Sequence, residues 1–471
     1  MTDLLVMKFG GTSMGSAERI KAAATLASRE AARRPVLVVV SAMSKVTDLL
    51  LDTLRHAEGG DTAGIEANLA ELRRRHEETC WELVSGPAQE ETHRAVVSLV
   101  NEFGRIARGI EMLGERPPRA VDEALAIGER LSTVLLSAYL NSQGAAARAI
   151  NAREVIVTDS VHGNATPIMG PTREKAEVLL TPLLSQGIIP IVTGFNGATA
   201  DGRPTTLGRG GSDFSASILA AALNAAQLWI WTDVDGIMTA DPRIVSSPAV
   251  LQEVTYREAA ELAYNGAKVL HPRTLAPLIE TQIPVWSKNS FAPEKSGTKI
   301  VSKVEAQPGP RAVTSMGNVA LVSVEPASAE ISGTRIMGRA MEALGASGAE
   351  VLAMSSSSYR QSFCFLVRKD ELARAMEALE ASLSLELAHG YLKPIDVDHN
   401  VGLLAVVGEG MRGTPGLAGR IFTAISRERV NIIAIAQGSS ELTIAIVVAR
   451  DGLDKAVRAV HSECDLGKPG G

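Results

Sequence analysis

The sequence predicts an α/β fold: a mainly parallel sheet sandwiched by helices, followed by two smaller ferredoxin-like units. Three observations predict it. Short apolar runs alternate with helical patterns over residues 1–300. The texture changes near residue 300, where Pro, Gly, Lys and Ser gather. Beyond that point a β-α-β-β-α series of about 70 residues occurs twice.

The first run is "VMKFGGTS", Val6 to Ser13. A strand ends near Lys8, and Gly10, Gly11 and two hydroxyls follow. Glycines after a strand let backbone N–H groups approach an anion, and a lysine adds charge. The chain holds no G-x-x-x-x-G-K-[ST] phosphate loop, so this segment by itself is equally a tight turn. "PVLVVVSAMS" (Pro35–Ser44), "IIPIVTGF" (Ile188–Phe195) and "LWIWTDVDG" (Leu228–Gly236) are apolar on both faces. Such runs read as parallel strands, and ligands bind at the carboxyl ends of such strands. Between Leu51 and Arg119 the pattern is helical, and its "ELRRRHEE" stretch reads as a solvated face.

"TLGRGGSDFSASILAAAL", Thr206 to Leu223, puts Gly208, Gly210 and Gly211 around Arg209. Ser212 and Asp213 follow as N-cap residues of an alanine-rich helix. A helix start favours an anion, and an arginine clamps a carboxylate through two parallel hydrogen bonds. A capped helix after a glycine turn explains Ser212 and Asp213 but not three glycines around an arginine. In "WTDVDGIMTADPR" (Trp231–Arg243) a strand ends at Thr232 and Asp233. Asp233 and Asp235 suit a turn equally well. "GAKVLHP" (Gly266–Pro272) places Lys268 at the end of a helix, where the helix dipole also favours a lysine.

The linker lies in "APEKSGTKIVSKVEAQPGPRAV", Ala292 to Val313. The first repeated unit has strand Val319–Glu325, helix "GTRIMGRAMEALGASG", strand Glu350–Ser358, strand "SFCFLVR" and helix "KDELARAMEALEASL". The second has strand Val401–Gly408, helix "GLAGRIFTAISRERV", strand Asn431–Ser440, strand "LTIAIVVA" and helix "GLDKAVRAVHSEC". "GEGMRG", Gly408 to Gly413, mimics a dinucleotide fingerprint. Such a fingerprint also needs an acid at the end of the next strand, and that strand ends in Gln437, so a packing or small-ligand loop is expected.

Composition narrows the function. With 45% hydrophobic and 21% charged residues the chain has the balance of a globular protein. A net charge of −6 and 4% aromatics give no support to a nucleic-acid partner. No signal peptide and no run long enough to span a membrane is expected, so the location is cytoplasmic with no membrane partner. Cys80, Cys364 and Cys464 lie far apart and the histidines are scattered, so neither a disulfide framework nor a metal site is expected.

Together "KFGGTS", "SAMSKVTD", "GERLS", "TGF", "TLGRGGSD", "WTDVDGIMTADPR" and "GAKVLHP" resemble the amino acid kinase superfamily, and within it the aspartate kinases. The set occurs in that family's order and covers essentially the whole chain. The resemblance implies an amino-acid-kinase-like catalytic domain at 1–300 and a linker at 301–312. It implies βαββαβ ACT modules at 313–385 and 386–465. The implied reaction makes 4-phospho-L-aspartate from L-aspartate and ATP with Mg2+, which would arrive on the nucleotide. Lys8, Asp213 and Lys268 would be catalytic. Gly10, Gly11, Ser13, Thr232, Asp233, Met238, Arg243 and Val269, with Lys8 and Lys268, would hold ATP. Ser41, Thr47, Glu129, Phe195, Arg209 and Ser212 would form the aspartate pocket, Glu129 taking the ammonium and Arg209 the α-carboxylate. Met238 departs from the pattern, because many relatives have an aromatic residue there.

The ACT modules imply a homodimer or higher homo-oligomer and an amino-acid effector. "AIAQGSSE" resembles threonine-responsive relatives, with Gln437 as a contact, so threonine is favoured over lysine. Ser356 takes the matching place in the first module. Some such relatives carry a fused homoserine dehydrogenase, and none is expected here. Two rivals remain: a superfamily kinase for glutamate, acetylglutamate, carbamate or a nucleotide, and a non-catalytic amino-acid sensor. Glu129 and Arg209 favour an unblocked amino acid, and Lys8, Asp213 and Lys268 speak against a mere sensor.

Overall fold

The apolar runs become strands where they were expected. The structure, a computed structural model, describes residues 3–267, 270–305, 308–327, 331–358 and 361–467. Val36–Val40, Leu5–Phe9, Gln227–Thr232 and Val285–Asn289 are adjacent parallel strands. Ile189–Thr193 and Ala147–Ile150 extend the sheet on one side in parallel. Thr298–Val301 and Glu253–Thr255 close the other side, with the sheet's one antiparallel pair between Val285–Asn289 and Thr298–Val301. Leu5–Phe9 and Val36–Val40 are buried at every position, as strands covered on both faces must be.

The helical section after Leu51 is several helices: Val46–Glu58, Thr62–Leu83, Pro87–Leu113 and Pro118–Ser142. Glycines at 59–60, 86 and 114 mark the breaks, and Gly60, Gly86 and Gly114 have positive φ. The "ELRRRHEE" stretch is only partly solvated. Leu72 and His76 are fully buried, and Arg75 Nη2 donates to Ser44 O at 2.9 Å. Burial pushes the His76 imidazole down to about 4. A helix in contact with the core on one side buries part of any charge run.

The chain divides into two compact units. One comprises Met1–Ile237, Gln252–Tyr256 and Leu270–Lys303; the other comprises Met238–Leu251, Arg257–Val269 and Val304–Gly471. The second unit holds a six-stranded antiparallel sheet. Its order is Ala353–Ser356, Phe363–Arg368, Ala312–Val324, Asp396–Val407, Thr443–Ala449, Ile432–Gln437. The first strand of each repeated unit is longer than its apolar run, with Ala312–Val324 replacing Val319–Glu325 and Asp396–Val407 replacing Val401–Gly408. The extra length is shared. Residues 312–316 pair with 403–407 and flank the second module, while 321–323 pair with 396–398 and flank the first. Each module thereby gains its fourth strand from the other's first strand. The polar, mostly exposed stretch "DVDHN" gives no strand signal, and 312–318 reads in sequence as linker and turn although Ala312, Val313 and Thr314 are buried.

Candidate active site and effector pocket

The residues expected to form the aspartate pocket belong to the first unit, several of them at the carboxyl ends of strands. Lys8 lies on the central strand Leu5–Phe9 and is 8% exposed. Its Nζ is 2.5 Å from Asp213 Oδ1. Gly10 and Gly11 are not at positive φ; close approach explains Gly11, whereas a Cβ on Gly10 would make only ordinary contacts. A Cβ on Gly11 would sit 3.2 Å from Ala42 O, and one on Gly10 would sit 3.4 Å from Trp231 O and 3.5 Å from Lys8 Nζ. Gly11 lets the turn lie against the neighbouring strand end. Ser13 Oγ is 2.8 Å from Ser290 Oγ, and Ser290 N donates to Thr232 O at 2.9 Å. The first turn and the Thr232 strand end are thus stitched through Ser290. Arg19 donates to Ser290 O at 2.7 Å and lies over the Phe291 ring.

Ser212 and Asp213 are not the N-cap. The helix is Gly211–Ala222, and its N-cap is Gly210 at φ +70° with no side-chain cap. Asp213 stands in the first turn, where an acid complements the helix dipole, and its carboxylate turns to Lys8. Phe195 holds φ +72°, an uncommon conformation for a bulky residue. Its N–H donates to Ser215 Oγ at 2.9 Å, and its ring lies where a Cβ on Gly211 would fall. Ser212 packs on Gly194. Ser41 N donates to Phe9 O at 3.0 Å, which puts Ser41 beside the end of the Lys8 strand. Thr47 begins the helix Val46–Glu58 after Lys45, itself at φ +63°.

Glu129, on helix Pro118–Ser142, is 3% exposed, and its Oε2 has no hydrogen-bond partner. Burial pushes its carboxyl up to about 8, against the lowering effect of the Ala42 and Glu129 backbone donors and the Lys8 charge. A buried carboxyl with one oxygen free of partners can receive a cation, which favours its ionised form.

Asp233 accepts from the Thr232 hydroxyl at 3.2 Å. Asp235 is a turn residue, held by Lys295 Nζ and Asn289 Nδ2, each at 2.6 Å, which keep its carboxyl below the usual range. Met238 and Arg243 belong to the second unit. Met238 bridges to Val250, and Arg243 is exposed and clasped by Asp241 at 2.6 Å. Lys268 and Val269 lie outside the described residues.

In the second unit Gln437 lines a cavity of about 160 Å³ with Met411, Thr414, Gly416, Leu417 and Glu441. Of the "GEGMRG" loop, Met411 lines it. Ser356 ends the opposite edge strand, exposed. The two modules also differ in their hairpin turns. Gln361 (φ +50°) and Glu441 (φ +56°) stand at matching places in their hairpins. Gln361 Oε1 accepts from Thr334 N at 2.9 Å and so covers the first turn of helix Gly333–Ser347. Glu441 instead accepts from Gly413 N at 2.8 Å, and the start of helix Leu417–Arg427 lines the cavity.

Elements beside that cavity are tied to segments Met238–Leu251 and Arg257–Val269 of the same unit. Glu409 N donates to Glu258 Oε1 at 3.0 Å, and Thr443 Oγ1 to Glu261 Oε2 at 2.8 Å. Ala240 and Val245 share one buried core with the lining residues Met411, Leu417 and Ile444. Thr239 Oγ1 is 3.0 Å from His461 Nε2. Sequence reasoning missed Glu258, Glu261 and Ser290, as well as Asp122 and Arg273 described below. Single polar residues on helices and loops carry no period or motif that separates them from surface residues.

Comparisons with known proteins agree with this architecture. The amino acid kinase family profile matches residues 3–289, and an ACT domain profile matches 404–464. The bifunctional aspartokinase/homoserine dehydrogenase 1 of Arabidopsis thaliana is 36% identical over 472 residues, covering 98% of this chain and 51% of that protein. The chain therefore spans about half the length of such relatives. Lysine-sensitive aspartokinase 3 of Escherichia coli is 30% identical over 478 residues, covering 98% and 99%. The crystal structure of E. coli aspartokinase III with aspartate and ADP superposes with a TM-score of 0.84 at 30% identity, covering 98% and 99%. Kinase-type sheet, paired ACT modules and full-length likeness all converge: the chain belongs to the amino acid kinase family and, within it, to the aspartokinases.

Proposed function

We propose that the chain transfers the γ-phosphoryl group of ATP to the β-carboxylate of L-aspartate, giving ADP and 4-phospho-L-aspartate. The observation that carries this reading is the presence in one unit of Lys8, Asp213 and Glu129 with its partnerless Oε2, and of the Arg209 loop at the start of the Asp213 helix. Phosphoryl transfer needs positioning and positive charge more than covalent help. Lys8 neutralises the moving phosphoryl oxygens, and Asp213 orients Lys8. Glu129 receives the substrate ammonium and Arg209 the α-carboxylate, which leaves the β-carboxylate to attack phosphorus in line as ADP departs. Ser41, Thr47, Phe195 and Ser212 shape that pocket. Gly10, Gly11, Ser13, Thr232, Asp233, Met238, Arg243, Lys268 and Val269 serve the nucleotide, which brings Mg2+ with it.

In this reading residues 1–300 catalyse, 301–312 link, and 313–385 and 386–465 regulate. The enzyme works in the cytoplasm at the head of lysine, threonine and methionine synthesis. It pairs through the ACT sheet, whose edge strand exposes Ile433 and Ile435. An amino acid, threonine before lysine, inhibits it from the Gln437 cavity. The ties to Glu258, Glu261, Ala240 and Val245 support transmission toward the nucleotide side.

An ADP-release assay with L-aspartate, L-glutamate and no added acceptor tests the reaction. Turnover with aspartate alone supports it. Turnover with glutamate, or with none, removes it.

A further inference from the structure

The helix Pro118–Ser142 carries a second buried carboxylate that the proposed chemistry does not use. Asp122 is 1% exposed and stands seven residues before Glu129. Seven residues make two turns, so both side chains leave the same face about 10 Å apart along the axis. Their surroundings are opposite. Glu129 Oε2 has no partner, whereas Asp122 is saturated. Its Oδ1 accepts from Thr206 Oγ1 at 2.5 Å and from Gly163 N at 3.1 Å, and its Oδ2 lies 2.7 Å from His162 Nδ1.

Those partners are the approach to Arg209. Thr206 ends the strand Pro204–Thr206, three residues before Arg209. Its carbonyl accepts from Ala165 N at 2.9 Å, so strand end and the 162–165 loop are joined twice. Gly208 turns at φ +77°, and a Cβ there would lie 2.7 Å from Asn164 Oδ1 and 3.1 Å from Gly163 O. Arg273 braces the same loop, donating to Leu207 O at 3.2 Å and Ala165 O at 3.0 Å, and also bonding Asn164. Its guanidinium lies over the Phe214 ring. The residues flanking Arg209 are therefore bolted to one helix face, and Asp122 is the bolt.

We infer that Asp122 is a positioning residue that sets the distance between the Arg209 carboxylate anchor and the Glu129 ammonium anchor. This rests on the reading that those two residues hold the substrate α-amino acid head. One rigid helix then carries both anchors: Glu129 directly, Arg209 through Asp122, Thr206 and Gly163. A misplaced anchor weakens substrate binding and leaves the nucleotide untouched.

The test is a double-mutant cycle read in Michaelis constants. Asp122→Asn keeps shape but removes an acceptor. It should raise the aspartate KM about tenfold or more, with the ATP KM within about twofold. In an Arg209→Ala background the same change should add less than about twofold, because its route to the substrate is gone. Thr206→Val removes one contact and should act in the same direction with a smaller factor. If Asp122→Asn does not fold, Thr206→Val alone and with Arg209→Ala decides the matter by the same criteria. Equal rises in both KM values, or full additivity with Arg209→Ala, overturn the positioning role. An unchanged aspartate KM in Arg209→Ala alone overturns the underlying reading, and the inference with it.

Discussion

The Lys8–Asp213 region of the first unit and the Gln437 cavity of the second are built from similar parts. Each has a glycine-rich loop, a helix start behind a left-handed glycine and an acidic side chain, Gly210 with Asp213 in one and Gly416 with Glu441 in the other. They differ in how fully their polar groups are satisfied. The first keeps Glu129 buried with a bare oxygen, and Lys8 nearly buried against Asp213. The second keeps its acid, Glu441, on a backbone donor and adds the neutral amide of Gln437. Concentrated, unsatisfied charge is the condition for large effects on a transition state. A satisfied, mostly neutral cavity suits small differences between two states, of order 1–3 kcal/mol.

The largest expected effect strikes the charged region. Lys8→Ala should lower kcat by at least about a hundredfold in a protein that still unfolds cooperatively, since one preorganised charge at a transferring group contributes roughly 3–4 kcal/mol. A folded variant with near-normal kcat would break the contrast between the two. Next, Arg209→Ala should raise the aspartate KM about tenfold or more and the ATP KM within about twofold. The reverse pattern would move Arg209 to the nucleotide.

Glu129 sharpens the comparison through pH. Its folded pKa of about 8 lies above the ordinary carboxyl value of 4.5, so the folded protein holds that proton more tightly than the unfolded chain. Its contribution to stability therefore falls as pH rises from about 4.5 to 8. Glu129→Gln should gain in Tm over the parent across that window and show no gain below it. Substrate ammonium reverses the preference, because it favours the ionised form. Aspartate affinity, by titration calorimetry, should weaken as pH falls below about 8 and lose this dependence in Glu129→Gln. A flat parent profile would remove Glu129 from substrate binding.

The smallest effect belongs to the neutral cavity. Gln437→Ala should relieve inhibition by threonine while uninhibited kcat stays nearly unchanged, with a loss of coupling of at most about 1–3 kcal/mol. Calorimetry with threonine, lysine and methionine on both proteins reads it. Threonine inhibition that survives intact, or binding by none of the three, would leave the cavity without a regulatory role.

Much of this was legible in the residues alone. Strands buried on both faces need apolar residues at every position, so Val36–Val40 and Leu5–Phe9 announce themselves. The glycine turn into a helix at Thr206–Asp213 is also readable, because the glycines and the polar residues stand side by side in sequence. The helix start near Asp213 was legible only to within two residues, since Gly210 replaced the expected side-chain cap.

What the chain could not announce were relations between distant residues. Asp122 and Glu129 are two acids on one helix, and no local rule says that one is saturated and the other bare. That difference arises because Thr206 and Gly163, over 40 residues away, reach one carboxylate and not the other. The exchange of strands between the ACT modules is equally nonlocal, since it pairs residues 312–316 with 403–407. Local hydrophobic pattern determined which segments are strands and which turn can meet an anion. Only tertiary packing decided which polar groups were left unsatisfied, because desolvation and hydrogen-bond partners are properties of the space around a side chain.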